Sequence, residues 1–134
     1  MSPEELMHRL PVAVVCVAND AHYTLKFANA EGAAMLGYDP GDFLDNKRYA
    51  AFSLIHPDDL AVSDRQTELI ANSGAKVMAR YRLIAADGSL VPVLDVSRPA
   101  LDADGAVYGL LTVIVDLRGA PELQGPSKVF EPAA

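Results

Sequence analysis

The residues best suited to chemistry in this chain stand in four places. His56-Pro57-Asp58-Asp59 sets an imidazole beside two carboxylates, the components of a metal site or an acid–base pair. Asp95 stands within the apolar run "VPVLDVS" (91–97). A carboxylate taken from water there gains basicity and can act as a base or anchor a ligand donor. Cys16, the one cysteine, lies in "VAVVCVA" (12–18), the setting of a buried structural thiol. Lys76, Arg80 and Arg82 alternate along one run on the same side as Met78 and Ile84. They form either a basic stripe for a partner or an ordinary solvated strand face.

Helix-start rules account for "HPDD" without a site. Pro57 suits the first helical position, the aspartates meet the positive end of the dipole, and first-turn side chains do not converge on an ion unaided. "SPEEL" (2–6) repeats the grammar, with Ser2 as N-cap and Glu5 closing a capping box. Asp95 has two readings. It faces a pocket as hook or base, or it pairs with Arg80, Arg82 or Arg98 at a sheet surface, which avoids the cost of a lone buried carboxylate. An enzyme built on Asp95 would lack a second catalytic partner, so no catalytic residue and no metal ligand is expected.

These residues need elements to position them. Residues 2–10 read as a short helix with Leu6, Met7 and Leu10 on its apolar side. Residues 12–20 and 23–29 read as two strands joined by a short turn. "AEGAAMLGYDPGDFL" (30–44), with Gly37, Pro40 and Gly41, reads as short broken helices, and 48–55 as another helical piece. A longer helix is expected over 58–72, with Leu60, Ser63, Thr67 and Ile70 inward and Ser73-Gly74 as its stop. Asp-Gly pairs at 87–88 and 104–105 then divide 75–117 into a three-strand meander. The expected class is α+β: a five-stranded antiparallel sheet, built as two strands, a helical middle and the meander, with a short N-terminal helix. The expected divisions are that helix (1–11), the domain (12–118) and a Pro/Gly-rich flexible tail or linker (119–134).

Period-two geometry leaves both sheet faces apolar. Val12, Val14 and Cys16 oppose Ala13, Val15 and Val17; Leu110 and Ile114 oppose Leu111, Val113 and Val115. The helical middle can cover one face. The expected cover for the other is the N-terminal helix and a second copy or partner, over Leu6, Met7, Leu10, Leu94, Leu110 and Ile114.

The chain has 134 residues, 51% hydrophobic and 22% charged, with a net charge of −7. That is one domain, and its sign disfavours nucleic acid or an anionic membrane as main partner. A single cysteine excludes an intrachain disulfide and fits a reducing, cytoplasmic setting. The apolar run 12–18 is too short to span a bilayer.

"FANAEGAAMLGY" (27–38), "IHPDD" (55–59), "RYRLIAADGSLVPV" (80–93), "RPALDADGAVYG" (98–109) and "VDL" (115–117), in this order, resemble the PAS domain family over residues 12–118. The resemblance implies a bacterial signal-transduction module of the kind used in two-component regulation. It implies homodimerisation, a signalling protein partner and a core pocket for a small hydrophobic ligand. The pocket is expected from Met35, Leu36, Phe43, Phe52, Leu54, Tyr81, Val93, Asp95 and Val113. Some members hold flavin or haem. Here the flavin family's reactive-cysteine motif is absent, and the 58–72 helix has no histidine, His8 and His22 lying elsewhere. Pro92 replaces the aromatic residue common after the Asp-Gly turn, and Arg118, Gly119 and Pro121 break the signalling helix that often follows the domain. The closing Ala133-Ala134 resembles a degradation tag, or simply ends a tail.

Overall fold

Ser2 opens the first helix as its residue type dictates. In the computed structural model, which describes residues 1–45 and 51–131 and all their side chains except those of Pro40, Ala51 and Phe52, its hydroxyl accepts from the Glu5 amide at 3.1 Å. The Glu5 carboxylate accepts from the Ser2 amide at 3.3 Å, completing the capping box. α1 spans Pro3–Arg9. β1 (Ala13–Ala18) and β2 (Leu25–Ala28) follow. Asp20 shapes the turn between them, accepting from the amides of His22 and Thr24, each at 3.0 Å.

The helical middle is broken, as Gly37, Pro40 and Gly41 require. α2 covers only Ala30–Ala34, and 3-10 turns stand at Pro40–Asp42, Ala51–Leu54 and Pro57–Asp59. Residues 48–50 of the expected helical piece, and Ala133-Ala134, lie outside the described residues. α3 (Leu60–Ser73) begins where "HPDD" places it and stops at Gly74. Gly74 takes φ 67°, a left-handed position that favours glycine, and its amide closes on Ile70 O at 2.8 Å. β3 (Val77–Ile84), β4 (Leu90–Leu101) and β5 (Val107–Asp116) form the meander.

The sheet is antiparallel with the order β2-β1-β5-β4-β3-β6. It has six strands rather than the expected five. The addition is β6 (Lys128–Phe130), paired with β3 through Met78↔Phe130, Ala79↔Val129 and Arg80↔Lys128. Residues 119–131 are therefore not a tail detached from the sheet. An edge at β3 would leave a row of backbone groups without strand partners, and β6 covers part of it. Val129 packs with Ile70 and Val77, while the Arg80 guanidinium donates to Pro126 O at 3.0 Å and lies 5.4 Å over the Phe130 ring. Gly119, Pro121 and Gly125 do break the chain after β5, allowing only the 3-10 turn Pro121–Leu123 before it folds back.

Register decides which apolar set faces inward. Ala13, Ile114 and Asp95 lie opposite one another on the face covered by α2 and α3, whereas Val14, Val113 and Val96 share the outer face. This corrects three expectations. Val113 turns away from the pocket, while Leu110 and Ile114, expected at the interface, point into it. Both sets on β5 are apolar, so alternation alone could not choose. The outer face keeps exposed Leu111 (42%) and Met78 (38%).

Asn29 joins α1, β1 and α2 to one another. It is fully buried. Its Oδ1 accepts from the amides of Val14 (2.9 Å) and Gly32 (2.8 Å), and its Nδ2 donates to Met7 O (2.9 Å) and Val12 O (3.0 Å). All four of these bonds end on backbone groups, two donors and two acceptors met by one carboxamide. Asn29→Asp keeps the shape but turns an oxygen towards two carbonyls. It should lower the unfolding free energy by about 3 kcal/mol, read by urea denaturation; an unchanged midpoint would contradict the role given to this side chain.

Candidate functional site

A cavity of about 130 Å³ lies between the inner sheet face and the helices. Its walls are apolar: Ala13, Val15 and Val17 from β1, Leu110 and Ile114 from β5, Leu83 from β3, with Leu25, Met35, Leu36, Phe43 and Leu54 closing over them. Tyr23 helps close it from the β1–β2 turn. It sits at φ 49°, and its hydroxyl reaches α3, donating to Asp64 Oδ1 at 2.8 Å and lying 3.2 Å from Thr67 Oγ1.

One part of the lining is polar. Asp95 on β4 is 5% exposed. Its Oδ1 accepts from Gln66 Nε2 of α3 at 2.8 Å and from Ser97 Oγ at 2.5 Å, and its Oδ2 accepts from the Tyr81 hydroxyl of β3. Gln66 Nε2 also donates to Val77 O at 2.9 Å, and Ser97 Oγ lies 2.7 Å from Thr112 Oγ1 of β5. Strand alternation and cross-strand register bring these groups together, because Asp95 faces both Ala79 and Ile114, and Ser97 faces both Val77 and Thr112.

No cationic side chain among the described residues pairs with Asp95. Arg80 is turned to the 119–130 segment and Arg98 is on the outer face, while Arg82 serves Asp59. Among the described residues the surface ion pair expected for Asp95 does not form, and Asp95 lines the cavity. Burial raises the Asp95 carboxyl above its ordinary value against the opposing hydrogen bonds from Ser97, Tyr81 and Gln66. Burial, with the charge of Asp95 next, pushes the Tyr81 hydroxyl far up.

The "HPDD" stretch does structural work instead. His56 Nδ1 accepts from the Asp58 amide at 3.1 Å as the cap of the 3-10 turn. Asp59 is 2% exposed. Arg82 donates to its Oδ2 from both the backbone amide and Nε at 2.9 Å, and to its Oδ1 from Nη2 at 3.0 Å. Burial acts to raise the Asp59 carboxyl, but hydrogen bonds from the Arg82 side chain and backbone and from Ser127 outweigh it and hold the group below its ordinary value. With Arg80 and Arg82 so engaged, the basic run on β3 is not a free stripe. Among the described residues no group of three or more His, Cys, Asp or Glu side chains could hold a metal ion.

Of the expected pocket residues, Met35, Leu36, Phe43, Leu54, Tyr81 and Asp95 line the cavity. Val93 is fully buried on the same face among the core residues beside it, Val113 is on the other face, and the Phe52 side chain lies outside the described residues. Of the expected interface residues, Leu6 is exposed on α1, Met7 and Leu10 are half-buried, and Leu94 is half-buried on the outer sheet face. Cys16 is buried on that outer side, its Sγ 3.9 Å from the Tyr108 hydroxyl. Reading the sequence missed Gln66, Ser97 and Thr112. Their signal was present: polar residues at inward positions of otherwise apolar elements.

A flavin-sized or haem-sized group does not fit this cavity, which has roughly the size that holds a benzene molecule. Cys16 is also not among its lining residues.

A model of the PAS fold family matches residues 25–114. No curated protein matches the chain. Among solved structures, the PAS domain of a protein from Colwellia psychrerythraea has a TM-score of 0.72 at 16% identity, covering 84% of this chain and 91% of that one. An RNA-binding light-oxygen-voltage receptor has a TM-score of 0.71 at 20% identity over 84% of this chain and 31% of that one, so this chain spans about a third of the receptor. The PAS domain, in complex with ethanol, of a LuxR-family transcriptional regulator from Burkholderia thailandensis has a TM-score of 0.67 at 18% identity, covering 87% and 98%.

Below the ordinary aspartate value both folded and unfolded chains hold the Asp95 proton, and the group contributes fully to stability. As pH rises towards its higher folded value, the unfolded chain ionises first and that contribution is lost. The unfolding free energy of the wild type relative to Asp95→Asn should therefore fall as pH rises from about 4 to about 8. Urea denaturation across that range measures it, and a difference that grows with pH would contradict the raised carboxyl.

Proposed function

This chain belongs to the PAS fold family, and we propose that it is a sensory and protein-interaction module of signal transduction, taking a small, largely apolar ligand into its core cavity and working as a homodimer. The observation that carries this reading is the cavity: apolar walls with one polar cluster of fixed geometry, the usual form of a small-molecule site. The ethanol complex of the Burkholderia domain is a precedent for small-ligand occupancy in this fold.

Binding is favoured over catalysis because three protein donors already hold the Asp95 carboxylate. Transmission has a short route. Leu110, Thr112 and Ile114 face the cavity, and the residues between and after them, Leu111, Val113 and Val115, face outward on the same strand. A ligand that shifts β5 inward residues shifts the outer face with them, biasing how a second copy or a signalling partner docks there. A free buried thiol as sole cysteine fits a reducing, cytoplasmic setting.

Native mass spectrometry of freshly purified protein should show a dimer, part of it carrying a small-molecule adduct. Leu111→Asp should raise the dimer dissociation constant about tenfold or more by setting a charge on each apposed face. An empty monomer at all concentrations would overturn the reading.

A further inference from the structure

The polar cluster around Asp95 has used up its donors. Gln66 Nε2 gives its two protons to Val77 O and Asp95 Oδ1. Tyr81 gives its proton to Asp95 Oδ2. Ser97 gives its proton to Asp95 Oδ1, so the 2.7 Å contact with Thr112 is donated by Thr112. What remains is acceptors. Gln66 is 3% exposed, and its Oε1 accepts from no described residue. The assignment of its two ends is secure, because Val77 O can only accept. An ionised carboxylate offers four lone-pair positions; protein donors fill two on Oδ1 and one on Oδ2, leaving one open. Thr112 Oγ1 and the Tyr81 hydroxyl oxygen likewise give a proton away and receive none.

We propose that the cavity binds a small primary amine as its ammonium, with the charged head at Asp95, Gln66 Oε1 and Thr112 Oγ1 and an apolar body among Val15, Leu36, Phe43 and Ile114. The proposal rests on the cavity being a ligand site, and it names the ligand's class. An ammonium brings three N–H donors and no acceptor, which suits a cluster whose open positions are all acceptors. It supplies the positive charge that the buried carboxylate lacks, and a charge-assisted hydrogen bond is the stronger kind. An alcohol brings one donor and no charge. A carboxylic acid or phosphate meets like charge at Asp95, with no free donor in the cluster around it to receive it. A cavity of about 130 Å³ limits the body to roughly the size of a benzene ring. The chain's net charge of −7 attracts a cation from solution.

Benzylamine, benzyl alcohol and toluene share one body and differ in the head. Their dissociation constants, measured on the full chain by titration calorimetry or ligand-detected NMR, test the proposal. Benzylamine should bind at least about tenfold more tightly than either of the others, and Asp95→Asn should erase that preference while retaining benzyl alcohol binding. If the alcohol or toluene binds the wild type as well as the amine does, the ammonium proposal is overturned and the cavity reading stands. If none of the three binds, the cavity reading falls and the proposal with it. The wild-type ranking decides the matter even where the variant fails to fold.

Discussion

A carboxylate held out of water without a cation is the constraint around which this structure is arranged. Asp95 occupies a strand position whose neighbours are otherwise apolar, and burial there is costly unless hydrogen bonds compensate. Tyr81, Ser97 and Gln66 do so from β3, β4 and α3 respectively, and each is oriented by that duty. The helix is therefore held to the sheet partly through Asp95, and the polar part of the cavity gets its direction from the same bonds. Three donors fill most of the carboxylate's capacity but bring no charge. The group remains a buried acid with a raised proton affinity, facing a space a small molecule can enter.

Two other buried polar groups show the contrast. Asn29 meets four backbone groups with its four bonds. Asp59 receives three donor groups from Arg82, a bidentate pair plus a backbone amide, and its carboxyl is held low rather than high. Both are internally complete and act as fasteners, one joining α1, β1 and α2, the other tying the start of α3 to β3. Asp95 is the incomplete one, together with Gln66 Oε1. Completeness and incompleteness separate structural polar groups from those open to a ligand, because an unpaired buried acceptor is stabilised by whatever donor arrives.

Local rules made much of the fold legible. The capping box at Ser2, the proline and acids at "HPDD", the Gly74 stop and the Asp-Gly turns each depend on residues a few positions apart, and each element formed where those rules put it. What was not legible depended on distant partners. The phase of β5 follows from its register with β1 and β4, and Leu110 to Val115 are apolar on both sides except at Thr112. The β6 strand is three residues behind a Pro/Gly-rich turn, formed because β3 offers an open edge and Arg80 a hold. Asp95 looked more economical beside an arginine. Alternation along β4 already sets Ser97 on its side and Arg98 on the other, but only the folded register shows that Arg80 and Arg82 face away and that Gln66 and Thr112 share its side.

The protonation of Asp95 tests this account most directly. The ¹³C chemical shift of its side-chain carboxyl, followed against pH by NMR in the ligand-free protein, reports that single group. The account predicts a titration midpoint above the ordinary aspartate value of about 3.9. A midpoint at or below that value would mean that Tyr81, Ser97 and Gln66 outweigh burial, and that the cavity holds a satisfied anion rather than an acid in need of a partner.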